Sequence, residues 1–316
     1  MVIESIGWFV LGLALLALGG DSIVKGTSGL ARRLGVSPFV AGLLLLAFAT
    51  SLPELAVNAR AFAIGESQLA LGNVVGSNIA NFGLTLGLAA LAAPLALRMR
   101  LLAPMLVLLA AATLATIAFG LDGRIGRVEG AGLLLGFAAM LGFLLARARR
   151  EDAGVRDEIA GYVAARPLLG LNLVRIAVAA ALLYFGAGYV VQGGLGLGAA
   201  WGLSPLLVGL LPVAIGTALP EAAAAVMAAR RGRGDMVAGH VLGSSLFNLL
   251  VVVGGMAALR PQPLPASFVR LELPVAIAFV LALYPMLRGD LRISRLEGGI
   301  LVAAFAAWVA FELLLI

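Results

Sequence analysis

The sequence lacks cysteine altogether, and it has one histidine, one lysine and few charged residues, which make up 12% of its 316 positions. Without cysteine there is no disulfide and no thiolate metal site. An intramembrane hydrolase would need an aspartate pair, a Ser–His dyad or a metal triad. The sequence has one histidine and no aspartate in the middle of an apolar run, so we do not expect an enzyme. Hydrophobic residues make up 62%, and the mean hydropathy of +1.09 excludes an ordinary soluble domain.

Long apolar runs dominate what is present. A helix that crosses a bilayer needs about 20 apolar residues, and the sequence predicts an all-α polytopic membrane protein with ten such helices. Their predicted bounds are 6–30, 37–61, 68–94, 101–120, 127–147, 169–198, 204–229, 236–259, 269–287 and 296–316. The only long polar stretch is a charged connector, which divides the chain into residues 1–147, 148–167 and 168–316.

The two halves are copies of one another. Shifted by 167 positions, GLSPLLVGLLPVAIGTALPE (202–221) falls on GVSPFVAGLLLLAFATSLPE (35–54), and eleven of the twenty residues are identical. The same shift places AGHVLGSSLFN (238–248) on LGNVVGSNIAN (71–81), so the repeated motifs span 35–87 and 202–254. Aligned Thr, Pro, Glu, Ser and Asn are not chance matches of apolar sequence. Because five spans is an odd number, we expect the second repeat to be inverted, as in secondary transporters whose site lies between the repeats.

The basic residues indicate the orientation. If the N-terminus is outside, seventeen of the 22 Lys and Arg residues fall on the inner side and five on the outer side. This is the bias expected of inner loops, and it predicts that both termini are outside. The net charge of +6 is scattered between apolar spans, which favours a membrane protein over a partner for nucleic acid. The first span has no positively charged segment before it, so we predict no cleavable signal and a multi-pass protein of the cell membrane.

Two acidic residues, Glu54 and Glu221, fall in the middle of predicted spans. A charge at this depth costs roughly 2.5 kcal/mol or more, which indicates a functional site. Each follows a proline, which removes a backbone hydrogen bond and opens the helix, so we expect freed carbonyls near both carboxylates. The alternative is a protonated pair that ties two helices together. Elsewhere Asp21 and Lys25 are four residues apart, which favours an ion pair on one helix face.

Spans 3 and 8 carry matching polar residues. Ser77 and Asn81 are four residues apart and share a helix face, as do Ser244 and Asn248. Small residues surround them (Gly72, Gly76, Gly239 and Gly243), which alternatively indicates close helix packing alone. With Thr50, Ser51 and Thr217, these residues form a set of oxygen donors suited to hard cations such as Ca²⁺ or Na⁺ rather than Zn²⁺ or Cu⁺.

These motifs (ATSLPE, GTALPE, GNVVGSNIAN and GHVLGSSLFN) resemble the paired α-repeats of the sodium/calcium exchanger family, and the resemblance covers nearly the whole chain. It implies an antiporter that exchanges Ca²⁺ for Na⁺ by alternating access, needs no cofactor and functions as a monomer. It also implies a role for each matching position. Glu54 and Glu221 bind Ca²⁺ with the carbonyls of Thr50 and Thr217, and Asn81 and Asn248 line the centre. One Na⁺ site uses Ser51, Ser77 and the Ala47 carbonyl, and the other uses Ser244 and the Ala214 carbonyl.

The chain departs from the family pattern at three positions. Ala218 stands where the family usually has serine, and His240 and Ser245 stand where it has asparagine. His240 is either a buried packing residue or a group that titrates near the ion path. These departures keep a Ca²⁺/H⁺ antiporter open as an alternative to Na⁺/Ca²⁺ exchange. A passive cation channel is a third possibility, although a channel needs a continuous pore rather than an inverted repeat closed on buried carboxylates.

Overall fold

A computed structural model describes residues 2–147, 150–161, 168–288 and 291–314. Arg149 and Arg166 of the inner-side count, part of the connector and the last two residues of the tenth predicted span lie outside this part of the chain. In these described residues, ten helical segments are long and apolar enough to cross a membrane, so the predicted number is confirmed. They run over Val2–Arg33, Pro38–Ala63, Ser67–Ala92, Leu102–Asp122, Arg127–Arg147, Leu169–Trp201, Pro205–Arg230, Gly234–Leu259, Phe268–Pro285 and Arg295–Leu314.

Several spans are interrupted, so they contain more than one helix. The α-helices are α1 (Val2–Arg33), α2 (Pro38–Ala47), α3 (Leu52–Ala63), α4 (Ser67–Ala80), α5 (Gly87–Ala92), α6 (Leu102–Phe119), α7 (Arg127–Arg147), α8 (Ala153–Ala160), α9 (Leu169–Trp201), α10 (Pro205–Val208), α11 (Ala214–Arg230), α12 (Gly234–Phe247), α13 (Gly254–Leu259), α14 (Leu273–Arg288) and α15 (Arg295–Leu314). Turns of 3₁₀ helix cover Ala49–Ser51 and Gly120–Asp122, and π-helical turns cover Asn81–Leu86, Gly209–Val213, Asn248–Val253 and Phe268–Glu272.

The second and seventh spans begin in the same way. Ser37 and Ser204 are the N-caps of α2 and α10, and each hydroxyl accepts a hydrogen bond of 3.3 Å from the amide three residues later. A proline follows each serine, where its missing N–H is not needed by the helix. The repeated Ser-Pro pair therefore sets the start of both helices.

The two spans differ where they break. The break predicted at Pro53 is confirmed: α2 ends at Ala47, a 3₁₀ turn follows, and α3 begins with Pro53 in its first turn. The break predicted at Pro220 is wrong, because α11 runs through this residue. The irregular turn of the seventh span lies earlier, at Gly209–Val213, and contains Pro212. Proline has no N–H to donate, and a π-helical turn changes the local hydrogen-bond pattern so that this missing donor is tolerated. The irregular turn of the seventh span therefore lies at Pro212.

The third and eighth spans form the centre of the bundle. In the 18-residue apolar stretch of each of these spans, 83% of the residues are buried, compared with 22% in the first and fifth spans. Glycine allows the close contacts that this requires. A Cβ at Gly76 would collide with Leu210 and Ala214, and one at Gly243 would collide with Ala47. Ala47 and Ala214 are equivalent residues of the two halves, as are Gly76 and Gly243, so the two contacts are reciprocal. Gly239 makes no such approach, since only the Met99 sulfur comes near it.

Four short strands show the same reciprocity in the described residues. They are β1 (Leu95–Ala96), β2 (Arg124–Ile125), β3 (Gln262–Pro263) and β4 (Arg292–Ile293). Strand β1 pairs antiparallel with β4, and β2 pairs antiparallel with β3. Each pair therefore joins one half of the chain to the other.

The connector helix α8 packs against the end of the bundle where α2 begins and α12 begins. Its Ile159 is buried and lies against Gly42 of α2. The Glu158 carboxylate accepts a hydrogen bond of 3.1 Å from the Met236 amide at the start of α12. Just before α8, Glu151 accepts hydrogen bonds from the Arg100 and Leu101 amides. The connector is therefore fastened to two helices that carry predicted site motifs.

Candidate cation site

Glu54 and Glu221 line one cavity between the two halves of the chain. Glu54 lies in the first turn of α3, and Glu221 lies in α11 directly after Pro220. Thr50 and Thr217 line the same cavity, which has a volume of about 270 Å³. One water molecule needs roughly 10–15 Å³ of cavity volume, so the space is large enough for a cation with several water molecules. The structure brings together these four predicted site residues.

Both carboxylates hold an oxygen without a partner. Glu54 is 2% exposed, and its Oε2 and the Oε1 of Glu221 are buried without any hydrogen bond. The two carboxyl groups are close enough to interact directly. A buried polar atom without a partner is costly, so these atoms indicate a place for a ligand. No group of three or more His, Asp or Glu side chains in the described ranges is arranged as a metal cluster.

The threonine hydroxyls are oriented by their own helices. Thr50 Oγ1 donates to the Leu46 carbonyl at 3.1 Å, and Thr217 Oγ1 contacts the carbonyls of Val213 at 3.1 Å and Ala214 at 3.2 Å. Because each hydroxyl proton is engaged with a carbonyl, the oxygen lone pairs remain available to a cation.

The cavity extends toward one end of the bundle. Beyond the glutamates it is lined by Asp21 of α1, Ala228 near the end of α11 and Met236 near the start of α12. The connector helix lies at this same end, since Glu158 bonds to the Met236 amide. The predicted ion pair of Asp21 and Lys25 is confirmed, with a distance of 2.6 Å and both side chains more than half exposed. The glutamates are therefore accessible from the end of the bundle that carries the connector.

A second cavity lies toward the opposite end of the bundle, between α3 and α9. It has a volume of about 450 Å³ and is lined by Arg60, Tyr184, Gly188 and Gln192, and neither glutamate is among its lining residues. Gly188 is the equivalent of Asp21 under the repeat.

The remaining predicted residues lie behind the cavity wall rather than on it. They are Ser51, Ser77, Asn81, Ser244, Asn248, Ala47 and Ala214, all of them buried. Asn81 donates to the Ser244 hydroxyl at 3.2 Å, and Asn248 donates to Asn78 at 3.1 Å, so these amides join spans 3 and 8. Ser51 Oγ has no partner. The polar side chains among these residues form a buried polar layer that joins spans 3 and 8 next to the cavity.

Two asparagines were not predicted as site residues but belong to this layer. Asn73 Nδ2 donates to Asn58 at 2.9 Å, and Asn73 accepts from the Ser77 hydroxyl at 3.3 Å. Both amides are fully buried. Asn58 lies one turn after Glu54, and that i, i+4 spacing is the sequence signal that could have identified it.

His240 also lies at the cavity, where the sequence left its role open. It is 8% exposed and lines the cavity with Thr50 and Glu221. Its Nε2 lies 3.4 Å from Glu221 Oε2, and its Nδ1 lies 3.0 Å from Thr50 Oγ1. It is thus in contact with both halves of the predicted site and is not remote packing.

Other buried carboxylates lie outside the cavity, among them Glu272 in the ninth span and Glu312 in the tenth. Glu312 accepts a hydrogen bond of 2.9 Å from the Trp308 indole, and the charges of the two carboxylates interact. They lie near span ends, where no pattern in the sequence distinguishes them from surface residues.

Comparison with known proteins places this architecture in a family. The family model described as "Sodium/calcium exchanger protein" matches residues 4–146 and 171–314. The chain belongs to the sodium/calcium exchanger family. The match leaves out only the connector region and the chain ends, so it includes both copies of the repeated motif. With ten apolar spans in the described residues, this family member is a multi-pass membrane protein, and its family and fold point to a transporter.

Individual relatives match over almost their whole length. The putative antiporter CaxA of Alkalimonas amylolytica is 36% identical over 95% of this chain and 96% of its own. The sodium/calcium exchanger MaX1 of Methanosarcina acetivorans is 29% identical, with coverages of 95% and 96%. Among solved structures, the sodium-calcium exchanger NCX_Mj, soaked with Na⁺ and Sr²⁺, matches with a TM-score of 0.69 and 30% identity, covering 98% of this chain and 99% of its own.

Proposed function

We propose that this protein is a secondary-active antiporter that exchanges Ca²⁺ for Na⁺ at a site formed by Glu54 and Glu221. One observation carries the proposal: two carboxylates from equivalent positions of the two halves face the same cavity, and each has a buried oxygen without a partner. In a medium of low dielectric, two nearby negative charges repel strongly, and a dication offsets both. Carboxylate, hydroxyl and carbonyl oxygens are the donors that Ca²⁺ prefers.

Na⁺ ions would bind beside the carboxylates, on the polar layer behind them. In the first half the donors are Ser51, Ser77 and the Ala47 carbonyl, and in the second half Ser244 and the Ala214 carbonyl. The unpartnered Ser51 hydroxyl supports this assignment. Because Na⁺ and Ca²⁺ share the carboxylates, the two kinds of ion would compete, and that competition is what couples their movements.

Transport would proceed by alternating access between two inverted repeats, residues 1–147 and 168–316. The reciprocal strand pairs and the reciprocal contacts of Gly76 and Gly243 support the inverted arrangement. The positive-inside bias supports outer termini and an inner connector. With that orientation, the cavity at the glutamates extends toward the cytoplasm, and the second cavity lies toward the outer side. We further propose that the protein acts as a monomer in the cell membrane.

Protons are the second candidate for the counter-ion. Ala218 is buried at the position equivalent to Ser51, so the second half lacks one hydroxyl that the first half has. A Na⁺ site with fewer oxygen donors binds Na⁺ less well, and a Ca²⁺/H⁺ antiporter needs no such site. A passive channel is disfavoured because the cavity that reaches the glutamates extends toward one end only.

Purified protein in liposomes tests these alternatives. We expect radiolabelled Ca²⁺ to accumulate when Na⁺ is loaded inside and diluted outside, with little uptake when Na⁺ is equal on both sides. Uptake driven by a pH gradient in the absence of Na⁺ would identify the proton antiporter instead. Uptake down a Ca²⁺ gradient without any counter-ion gradient would identify a channel.

A further inference from the structure

The only histidine of the chain occupies a position that sets the two halves apart. His240 lies on α12, and the equivalent residue of the first half is Asn73. Asn73 is engaged with Asn58 and Ser77 behind the cavity wall. His240 instead lines the cavity, where it contacts Thr50 and Glu221. The imidazole is therefore a feature of one side of the site only.

The contacts of Nδ1 determine which ring nitrogen carries the proton. Nδ1 lies 3.3 Å from the Leu46 carbonyl oxygen and 3.0 Å from Thr50 Oγ1. A carbonyl only accepts hydrogen bonds, so the contact with Leu46 requires the N–H on Nδ1. The Thr50 hydroxyl itself donates to the same carbonyl. We assign the Nδ1–H tautomer from this network, and in the neutral ring Nε2 then presents a lone pair.

That lone pair points to the place where a cation is expected. Nε2 is buried without a hydrogen-bond partner, and it lies 3.4 Å from Glu221 Oε2. A lone pair facing a carboxylate is unfavourable, so a positive charge is expected between them, either a proton on Nε2 that forms an ion pair with Glu221 or a bound cation. Histidines that bind metals usually donate their other N–H to a backbone carbonyl or carboxylate, which fixes the ring. The Leu46 carbonyl supplies that fixing bond here.

We propose that His240 Nε2 is a ligand of the transported dication and that the site therefore accepts first-row transition-metal dications, with Mn²⁺ as the representative. The inference rests on the proposed function, because it places the nitrogen in the same site as Glu54 and Glu221. Imidazole is a ligand of transition metals, whereas Ca²⁺ takes six to eight oxygen ligands. Mn²⁺ takes carboxylate oxygen and also accepts imidazole nitrogen.

The ion would complete this site rather than enter a rigid one. His240 contacts Glu221, and Glu221 interacts with Glu54, yet the three do not form a preformed metal cluster in the described residues. A transported ion must also leave, so a site that closes around the ion suits transport better than a permanent metal centre.

Competition in liposomes tests selectivity. Mn²⁺ should inhibit Na⁺-driven uptake of radiolabelled Ca²⁺ in the wild type, and His240→Asn should raise the Mn²⁺ concentration for half inhibition about tenfold or more. The change to Asn restores an oxygen donor, so Ca²⁺ uptake should persist. Asp21→Asn is the matched control, because Asp21 lines the same cavity away from His240, and it should keep the wild-type Mn²⁺ sensitivity. Equal Mn²⁺ sensitivity in the wild type and His240→Asn would overturn the proposal.

Electron paramagnetic resonance provides a readout that does not depend on transport. Mn²⁺ bound to the detergent-solubilised wild type should show electron spin-echo modulation from a directly bound nitrogen, and His240→Asn should lose it. Bound Mn²⁺ without nitrogen coupling in the wild type would disprove ligation by His240. Ca²⁺ uptake that Mn²⁺ does not inhibit would defeat this inference and leave the proposed function intact. Mn²⁺ uptake with nitrogen coupling but without any Ca²⁺ uptake would support ligation by His240 and contradict the proposed exchange of Ca²⁺.

Discussion

Glu54 and Glu221 each supply half of the negative charge that offsets a dication in the cavity. Replacing either by Gln keeps the shape and removes one charge, so we expect Glu54→Gln and Glu221→Gln to reduce Na⁺-driven Ca²⁺ uptake to the level of empty liposomes. Glu272→Gln is the matched control, because Glu272 is also a buried carboxylate within a span but lies outside the cavity. Near wild-type uptake by either cavity variant would exclude the proposed site.

Ala218 and Ser51 are equivalent positions with opposite consequences for Na⁺. Both are buried, and only Ser51 offers a hydroxyl. We expect Ala218→Ser to steepen the dependence of Ca²⁺ uptake on the Na⁺ concentration, because it adds an oxygen donor to the second half. Ser51→Ala should make that dependence shallower. An unchanged Hill slope and Na⁺ affinity in Ala218→Ser would show that the missing hydroxyl does not limit Na⁺ binding.

The sequence was sufficient to find the side chains that line the cavity from the two repeated motifs. Glu54, Thr50 and their equivalents follow from the duplication and from the cost of a charge in an apolar run. The role of His240 does not follow, because its partners Thr50 and Leu46 lie almost two hundred residues away and depend on how α12 packs on α2. Asn58 and Asn73 were missed for the same reason, since only their mutual contact distinguishes them from other buried amides.

At the scale of the elements, the two proline positions in the second and seventh spans make different contributions. Pro53 begins α3, where a missing N–H costs nothing, whereas Pro220 lies inside α11. A proline in a helix interior costs about 3 kcal/mol relative to alanine. We therefore expect Pro220→Ala to raise the thermal unfolding midpoint in detergent, and Pro53→Ala to leave it unchanged or lower it. A lower midpoint for Pro220→Ala would show that the packing of the proline ring stabilises the fold by more than the lost helical hydrogen bond costs.

The connector helix introduces a pH dependence at the element scale. Burial raises the pKa of Glu158 and of Glu151 above the ordinary glutamate value, although the amides they accept from and the nearby arginines oppose this. When the pKa of a carboxyl is higher in the folded than in the unfolded protein, its contribution to stability is present at acid pH and is lost as pH rises through the folded value.

We therefore expect the thermal midpoint of the solubilised protein to fall as pH rises from the ordinary glutamate pKa toward neutrality. In Glu158→Gln, which keeps an acceptor for the Met236 amide, part of this dependence should disappear. Asp157→Asn is the matched control, because Asp157 is an exposed acidic residue of the same connector helix. Identical pH profiles for Glu158→Gln and the wild type would show that the charge of Glu158 is not the cause.

For the whole molecule, hydropathy and the duplication predicted the number of spans and their approximate bounds. What they did not predict is how the halves interlock. The pairing of β1 with β4 and of β2 with β3 involves two-residue strands without any alternating pattern, and it arises from distant segments that meet at the ends of the bundle. The positions of the irregular turns were not predicted either. In the seventh span the sequence predicted a break at Pro220, whereas the irregular turn lies at Pro212.

The absence of cysteine makes the orientation directly measurable, because each introduced cysteine is the only thiol. We expect Gly154→Cys in the connector helix to react with a membrane-impermeant maleimide in inside-out vesicles only. Leu121→Cys, in the exposed turn after α6, should react in right-side-out vesicles only.

Ala224 lines the cavity between the glutamates and the connector end, so Ala224→Cys tests access to the cavity. It should therefore react from the same side as Gly154→Cys, and Ca²⁺ should slow the reaction if a bound ion closes the cavity. If Leu121→Cys and Gly154→Cys react from the same side of the membrane, the topology is contradicted. If Ala224→Cys reacts only from the side of Leu121, the topology stands, but the cavity does not extend toward the connector end.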